Sequence, residues 1–411
     1  SLGNTCRFMV SKGRRADGRL YNLWSPWSAQ RRKEDMQPKA ARNISIEALR
    51  LVAVAGIAIF HTFQWAFQAA CAGMPEYAPL VAFPYSGVLG FINLLGCWAN
   101  EVFFMISGYF LIASAARAWN DGATWASQMQ RTVQRLGKVV LPTAFYCLVA
   151  LAWSTTVSPI PDVSLATHYW YTLGLEFIWV YAATVCLAPL FGLAMSRLSK
   201  RGYTAAAIVV GILTFVVNGY LAAMNSTSSG EFSWLQKIMS AATYVVAFLI
   251  GGLLRDVTDS MGSGRARALG SRSLIAVLAI AIVLEGTLSF TGNLAAMATL
   301  SYKSTSLISF ALAAASLLFT ATRNSTSSNP RVAGVIVTLS AATLGFYVMQ
   351  SLTSSLWRPI FNAMLANILV AQSNPASICI ATGTAISIVF ALVLLVVDAV
   401  RSRVVHNLKQ R

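Results

Sequence analysis

Charge is what this chain has least of. Only 11% of its 411 residues are Asp, Glu, Lys or Arg, against roughly 25% in soluble domains. Acids are the scarcer half, 14 against 31 basic residues, for a formal net charge of +17. That excess is spread through short loops, with no compact basic domain or reader motif, so no nucleic-acid partner is expected. Histidine occurs only at His61, His168 and His406, too few for a histidine metal cluster, and no metal is expected. The six cysteines, Cys6, Cys71, Cys97, Cys147, Cys186 and Cys379, form no C-x-x-C pair. Most lie in apolar runs and read as small buried hydrophobes, not as a disulfide framework or a zinc site. No internal repeat, no Ser–His–acid hydrolase motif and no appended soluble catalytic domain is apparent.

What the chain has instead is apolar sequence. It is 56% hydrophobic, with a mean hydropathy of +0.61. Ten runs reach the length of about 17–25 residues needed to cross a bilayer: about 46–67, 88–115, 136–157, 169–195, 203–223, 236–254, 274–290, 303–322, 333–357 and 377–400. The expectation is an all-α, polytopic integral membrane bundle of about ten transmembrane helices. Residues 1–44 are basic and lack apolar periodicity, so they read as a disordered cytoplasmic tail and not as a signal peptide. The membrane domain covers 45–401, and 402–411 form a short basic cytoplasmic tail. Clusters such as Arg31-Arg32-Lys33 suit anionic lipid. With an inside amino terminus, only Lys237, Lys303 and Arg358 of the 31 basic residues fall on the opposite side. The positive-inside rule then holds at every loop and puts both termini in the cytoplasm.

The first run is the unusual one. Arg50 and His61 bracket ten apolar residues. Eleven residues make almost three helical turns, so both side chains share one face, about 16 Å apart along the axis. Glu47, Gln64 and Gln68 fall near the same stripe. Ionisable groups in hydrocarbon cost at least about 2.5–3.5 kcal/mol, so the stripe must face protein or a wet cavity. In the second run Asn93, Asn100, Ser107 and Ser114 recur every seven residues, a slowly drifting face suited to gluing helices together. Glu101 stands beside it inside the apolar stretch.

Arginine, ten residues, histidine resembles the signature of the acyltransferase 3 family of membrane-bound sugar and polysaccharide O-acyltransferases. The segment from Asn100-Glu101-Val102-Phe103-Phe104 to Ser107-Gly108-Tyr109 is similar to that family's acidic-x-Phe-Phe-x-x-Ser-Gly segment. The resemblance implies transfer of an acyl group, acetyl first among candidates, from acyl-coenzyme A to a hydroxyl of a cell-envelope carbohydrate or glycolipid, at the plasma (cytoplasmic) membrane. It implies His61 as general base, a task that an ordinary imidazole pKa of about 6.5 suits, with Glu101 orienting or polarising it. Arg50, Arg135 and Lys138 would hold the donor phosphates. Lys138 stands where the family often has a second arginine, and a lysine keeps the charge without the bidentate fork. His168, Trp170 and Glu176 resemble an acceptor-binding segment at the outer surface. Leu344-Gly345-Phe346-Tyr347-Val348-Met349-Gln350 is similar to a segment that usually ends in histidine. Gln350 can hydrogen-bond but cannot shuttle protons near neutral pH. Glu285 has Lys303 as a nearby partner across a short loop.

The rival class is a proton-coupled transporter of a small or sugar-like substrate, since polar stripes and buried acids also mark carriers. Carriers usually show internal repeats and broken helices, which are not evident here. The charge alternation is directly testable: a topology reporter fused after Arg411 is expected to be active only in its cytoplasmic form, and activity on the far side of the membrane refutes the span count.

Overall fold

The computed structural model describes residues 43–161, 163–167, 175–225, 233–301, 306–323 and 329–410, and all regular structure among them is helical. The helices are α1 (Ile44–Cys71), α2 (Tyr85–Asn120), α3 (Trp125–Thr156), α4 (Glu176–Arg197), α5 (Lys200–Asn225), α6 (Ser233–Ser260), α7 (Ser263–Phe290), α8 (Leu294–Leu300), α9 (Leu307–Ala321), α10 (Pro330–Ala341), α11 (Thr343–Leu352), α12 (Ser354–Ala371) and α13 (Pro375–Gln410), with a 3-10 turn at Pro75–Leu80. Asn43, Thr124, Ser306 and Asn329 each cap a helix start by accepting from backbone N–H groups, satisfying donors that the first turn leaves orphaned.

Eight of these helices are long and apolar enough to cross a membrane, and the pair α10–α11, bent by 43°, counts as a ninth when taken together. The eighth expected run, 303–322, falls on α9, a shorter apolar helix of 15 residues. Two expectations need correction. The stretch 333–357 is not one straight helix but breaks at Ala342 and again at Thr353. Residues after 357, expected as outer loop, continue helical through Ala371 in α12.

The bundle is built around α2. In its most apolar window 72% of residues are buried, against 17% for α7 and 22% for α13. It packs on α1, α4, α6, α7 and α9. Its polar ladder explains how. Asn93 donates to the Ser301 carbonyl (2.9 Å), Asn100 donates to Tyr244 of α6 (3.2 Å), Ser107 bonds Tyr181 of α4 (2.9 Å), and Ser114 accepts from Arg135 of α3 (3.4 Å). Each rung reaches a different neighbour. Glycines set the closest approach: a Cβ on Gly108 would run into the Phe248 carbonyl, and one on Gly251 into the Met105 carbonyl. The α2 and α6 backbones therefore touch through two small residues, as membrane helices do where packing, not hydrophobicity, drives association.

Gly108→Ala and Gly251→Ala should each destabilise the detergent-solubilised protein by about 1–3 kcal/mol through overpacking. Gly219, with open space around it, should tolerate alanine. Equal melting temperatures for all three variants would show that the α2–α6 contact is looser than described.

Candidate active site

His61 sits on α1, half-buried. Its Nδ1 is 3.3 Å from Gln64 Oε1, one turn further along α1, and 3.2 Å from Arg358 Nη2 of α12. The Phe60 ring lies 5.0 Å from the imidazole and fills the space above Gly96 of α2. On the next position Thr62 accepts from Ser387 of α13 (2.8 Å). The imidazole is thus held by α1 and α12, while its chain neighbours Phe60 and Thr62 pack α1 against α2 and α13.

Arg358 was expected only as an outer-surface cation. The α12 helix turns it inward instead. Its guanidinium lies 5.6 Å from the Trp357 ring, and its Nε is buried with no hydrogen-bond partner. Trp357 donates to the Gln350 carbonyl at 2.9 Å, which ties α12 back to α11. Gln350 is only 2% exposed, and its Nε2 also lacks a partner. Buried unpaired donors cost about 1–3 kcal/mol each, so two of them on the same α11–α12 corner mark a place built for something other than stability.

Arg50 is engaged within its own helix. Its Nη1 pairs with Glu47 Oε2 at 2.8 Å, and Ser340 of α10 donates to the same oxygen at 2.6 Å. Glu101 is fully buried, and neither carboxyl oxygen has a hydrogen-bond partner. Neither oxygen bonds His61 in this structure. The physical reason is register. Gly96 lies against Phe60, and Trp98 against Gly56, so the two helices run antiparallel. Glu101 therefore falls level with the turn before Gly56, on the order of 12 Å from the level of His61.

Arg135 is half-buried and donates to Ser114; Lys138 lies one turn on and is exposed. Glu176 is exposed in the first turn of α4, where the helix dipole favours an anion. His168 and Trp170 lie outside the described residues, as does Lys303. Glu285 is buried, with neither carboxyl oxygen bonded. Among the described residues no three His, Cys, Asp or Glu side chains are grouped to hold a metal ion.

A second polar cluster went unread in the sequence. Asp398 of α13 accepts from Tyr146 of α3 and from Arg401, each at 2.7 Å, and is 1% exposed. A Cβ on Gly345 of α11 would strike the Asp398 carboxylate. This accounts for the glycine in the Leu344-Gly345-Phe346-Tyr347 segment: the acid needs that space. Only three helical turns separate Asp398 from the chain's basic end, and nothing in local spacing distinguishes it from an ordinary terminal ion pair.

A helical bundle with apolar spans and a half-buried imidazole–guanidinium contact is a multi-pass membrane protein with a candidate reaction or binding centre inside it. The comparisons with known proteins narrow the class. The acyltransferase 3 family model, described as an acyltransferase domain, matches residues 43–394. The chain belongs to that family and is a membrane acyltransferase. Neither the comparison with curated proteins nor that with solved structures found a match.

Breaking a buried ion pair is costly, whereas exposed pairs matter little. Asp398→Ala should destabilise by about 3 kcal/mol, because it strands Arg401 and Tyr146. Asp259→Ala removes the exposed partner of Arg255 and should change stability by less than about 0.5 kcal/mol. Thermal denaturation in detergent distinguishes the two, and equal effects would reduce the Asp398 cluster to a surface feature.

Proposed function

We propose that this protein transfers an acyl group, acetyl first, from acyl-coenzyme A to a hydroxyl of a cell-envelope carbohydrate or glycolipid. The observation that carries the reading is the position of His61: a titratable imidazole deep in an apolar helix, held by polar partners from two helices, within the span that follows Arg50 by ten residues. Family membership favours a transferase over a carrier, although the unpaired carboxyls of Glu101 and Glu285 are what a proton-coupled carrier would also have.

In this reading the enzyme sits in the cytoplasmic membrane with both tails inside. Residues 1–44 and 402–411 flank the catalytic membrane domain in sequence. Arg50, Arg135 and Lys138 grip the phosphates of the donor at the cytoplasmic side, and the pantetheine arm extends inward past the level of Glu101. His168, Trp170 and Glu176 meet the acceptor. His61 takes the proton of the attacking hydroxyl as its oxygen bonds to the thioester carbon. The carbon–sulfur bond then breaks, and the leaving thiolate takes that proton. The products are an ester and coenzyme A.

Purified protein with acetyl-coenzyme A and candidate envelope glycans tests this. His61→Ala should lower turnover by about 10²–10⁴-fold, the range of a lost general base. Arg135→Ala should raise the KM for the donor more than Lys138→Ala does, because only arginine binds phosphate bidentately. kcat and the acceptor KM should hardly move, since a remote grip holds ground and transition states alike. Full turnover in the His61 variant sinks the general-base assignment; glycan uptake without donor cleavage favours the carrier.

A further inference from the structure

The two contacts at His61 Nδ1 exclude each other. Gln64 presents Oε1, which only accepts, at 3.3 Å, and Arg358 presents Nη2, which only donates, at 3.2 Å. A neutral imidazole has one N–H and one lone pair. If Nδ1 carries the proton, it donates to Gln64 and meets the guanidinium with its hydrogen. If Nδ1 carries the lone pair, it accepts from Arg358, and the proton sits on Nε2. In the second arrangement the basic nitrogen is covered by the arginine, and His61 offers only an N–H to anything entering from its other side. Arginine keeps its charge and has no acceptor with which to adapt. For His61 to work as a base through Nε2, Arg358 must leave Nδ1, and Nδ1–H must donate to Gln64 Oε1.

The structure also says where the guanidinium is under-used. Its contact with His61 takes one of five N–H groups, and Nε–H is buried without a partner. A fork with a buried unpaired donor, next to the base, is arranged for an anion that forms there only during reaction. Thioester attack creates such an anion: the electron pair of the carbonyl π bond moves onto oxygen when the acceptor oxygen bonds to carbon. Preorganised donors aimed at that oxygen are commonly among the largest contributions to acyl transfer.

We propose that Arg358 is a catalytic residue of this acyl transfer: it releases His61 Nδ1 to Gln64 and turns its N–H fork to the thioester carbonyl oxygen, holding the oxyanion until the carbon–sulfur bond breaks. Gln64 is then the positioning residue that keeps the Nδ1–H tautomer and leaves the Nε2 lone pair for the hydroxyl proton. When the tetrahedral centre collapses, the oxyanion pair reforms the carbonyl, and sulfur departs with the bonding electrons. The thiolate takes the proton from Nε2, and the site returns to its starting charge. This assignment rests on the acyl-transfer reading above.

Two measurements on the full chain in nanodiscs test it. With acetyl-coenzyme A as donor, Arg358→Gln should lower kcat by about a hundredfold, the cost of a lost oxyanion donor, while the donor KM stays within about threefold. Arg358→Lys, which keeps the charge but not the fork, should fall between the two, and serves if the glutamine variant fails to fold. Gln64→Leu should lower kcat with the donor KM unchanged. Independently of turnover, nitrogen NMR of histidine-labelled protein reports the tautomer of His61, one of only three histidines in the chain. The donor-free wild type should show Nε2–H, and Arg358→Gln should shift it to Nδ1–H. A raised donor KM with unchanged kcat would make Arg358 a donor grip and overturn the proposal, as would the same tautomer in both proteins. If His61→Ala remains active, it is the general-base reading that fails. If His61→Ala is inactive and Arg358→Gln is fully active, that reading stands and this proposal alone is lost.

Discussion

A polar side chain at bilayer depth has no water to turn to, so it must find a partner in the protein. That constraint organises this chain. Each rung of the α2 ladder finds its partner on a different element: Asn93 at Ser301, Asn100 on α6, Ser107 on α4, Ser114 on α3. Four hydrogen bonds pointing four ways place α2 at the centre. The glycines at 108 and 251 then let α6 come to backbone contact. Burial of α2 follows from both, and the more lipid-exposed helices such as α7 and α13 need only be apolar.

Against that background the unsatisfied groups stand out. Glu101, Glu285, Gln350 Nε2 and Arg358 Nε are buried and unbonded, as are Asn100 Oδ1, Tyr203 Oη and Asn218 Oδ1, in a bundle that pairs Glu47 with Arg50 and Ser340, and Asp398 with Arg401 and Tyr146. The paired acids lie near helix ends that carry basic residues in their own turns. The unpaired groups lie in the interior, where a partner must come from another helix or from a ligand. Gln350 and Arg358 bracket the short corner between α11 and α12, and Arg358 touches His61. The α11 helix ends at Leu352, and Arg358 lies in the first two turns of α12, which begins at Ser354.

The sequence carried the spans, the Arg50–His61 stripe and the polar ladder, because helical period and hydropathy are local properties. The described part of each expected run falls mainly on helix. It did not carry the partners. Glu101 sits in the motif and in the second span, so pairing it with His61 was reasonable; only the antiparallel register, set by Phe60 over Gly96 and Trp98 over Gly56, separates them. Arg358 was read as a loop cation because hydropathy ends the ninth run at the basic residue, and a helix that resumes after a one-residue break looks the same as a loop. Gly345 and Asp398 lie more than fifty residues apart, and no periodicity links a glycine to the acid that fills its space.

Gln350 closes off one route for the proton. Where the family usually has histidine, this chain has an amide whose buried nitrogen has no partner, and an amide can present a hydrogen bond but cannot accept and pass on a proton near neutral pH. Within 45–401 only His61 and His168 are imidazoles. Glu101 is on the order of 12 Å away in depth. In the proposed reaction the proton taken from the acceptor hydroxyl stays on His61, and the same ring returns it to the leaving thiolate. A one-residue cycle of this kind needs no relay, but it requires the imidazole to be basic when the hydroxyl arrives and acidic when sulfur leaves. A fixed cation beside Nδ1 would help only the second half. A cation that turns from Nδ1 to the oxyanion and back serves both, and an arginine with one bond to the histidine and an idle Nε has the donors to do it.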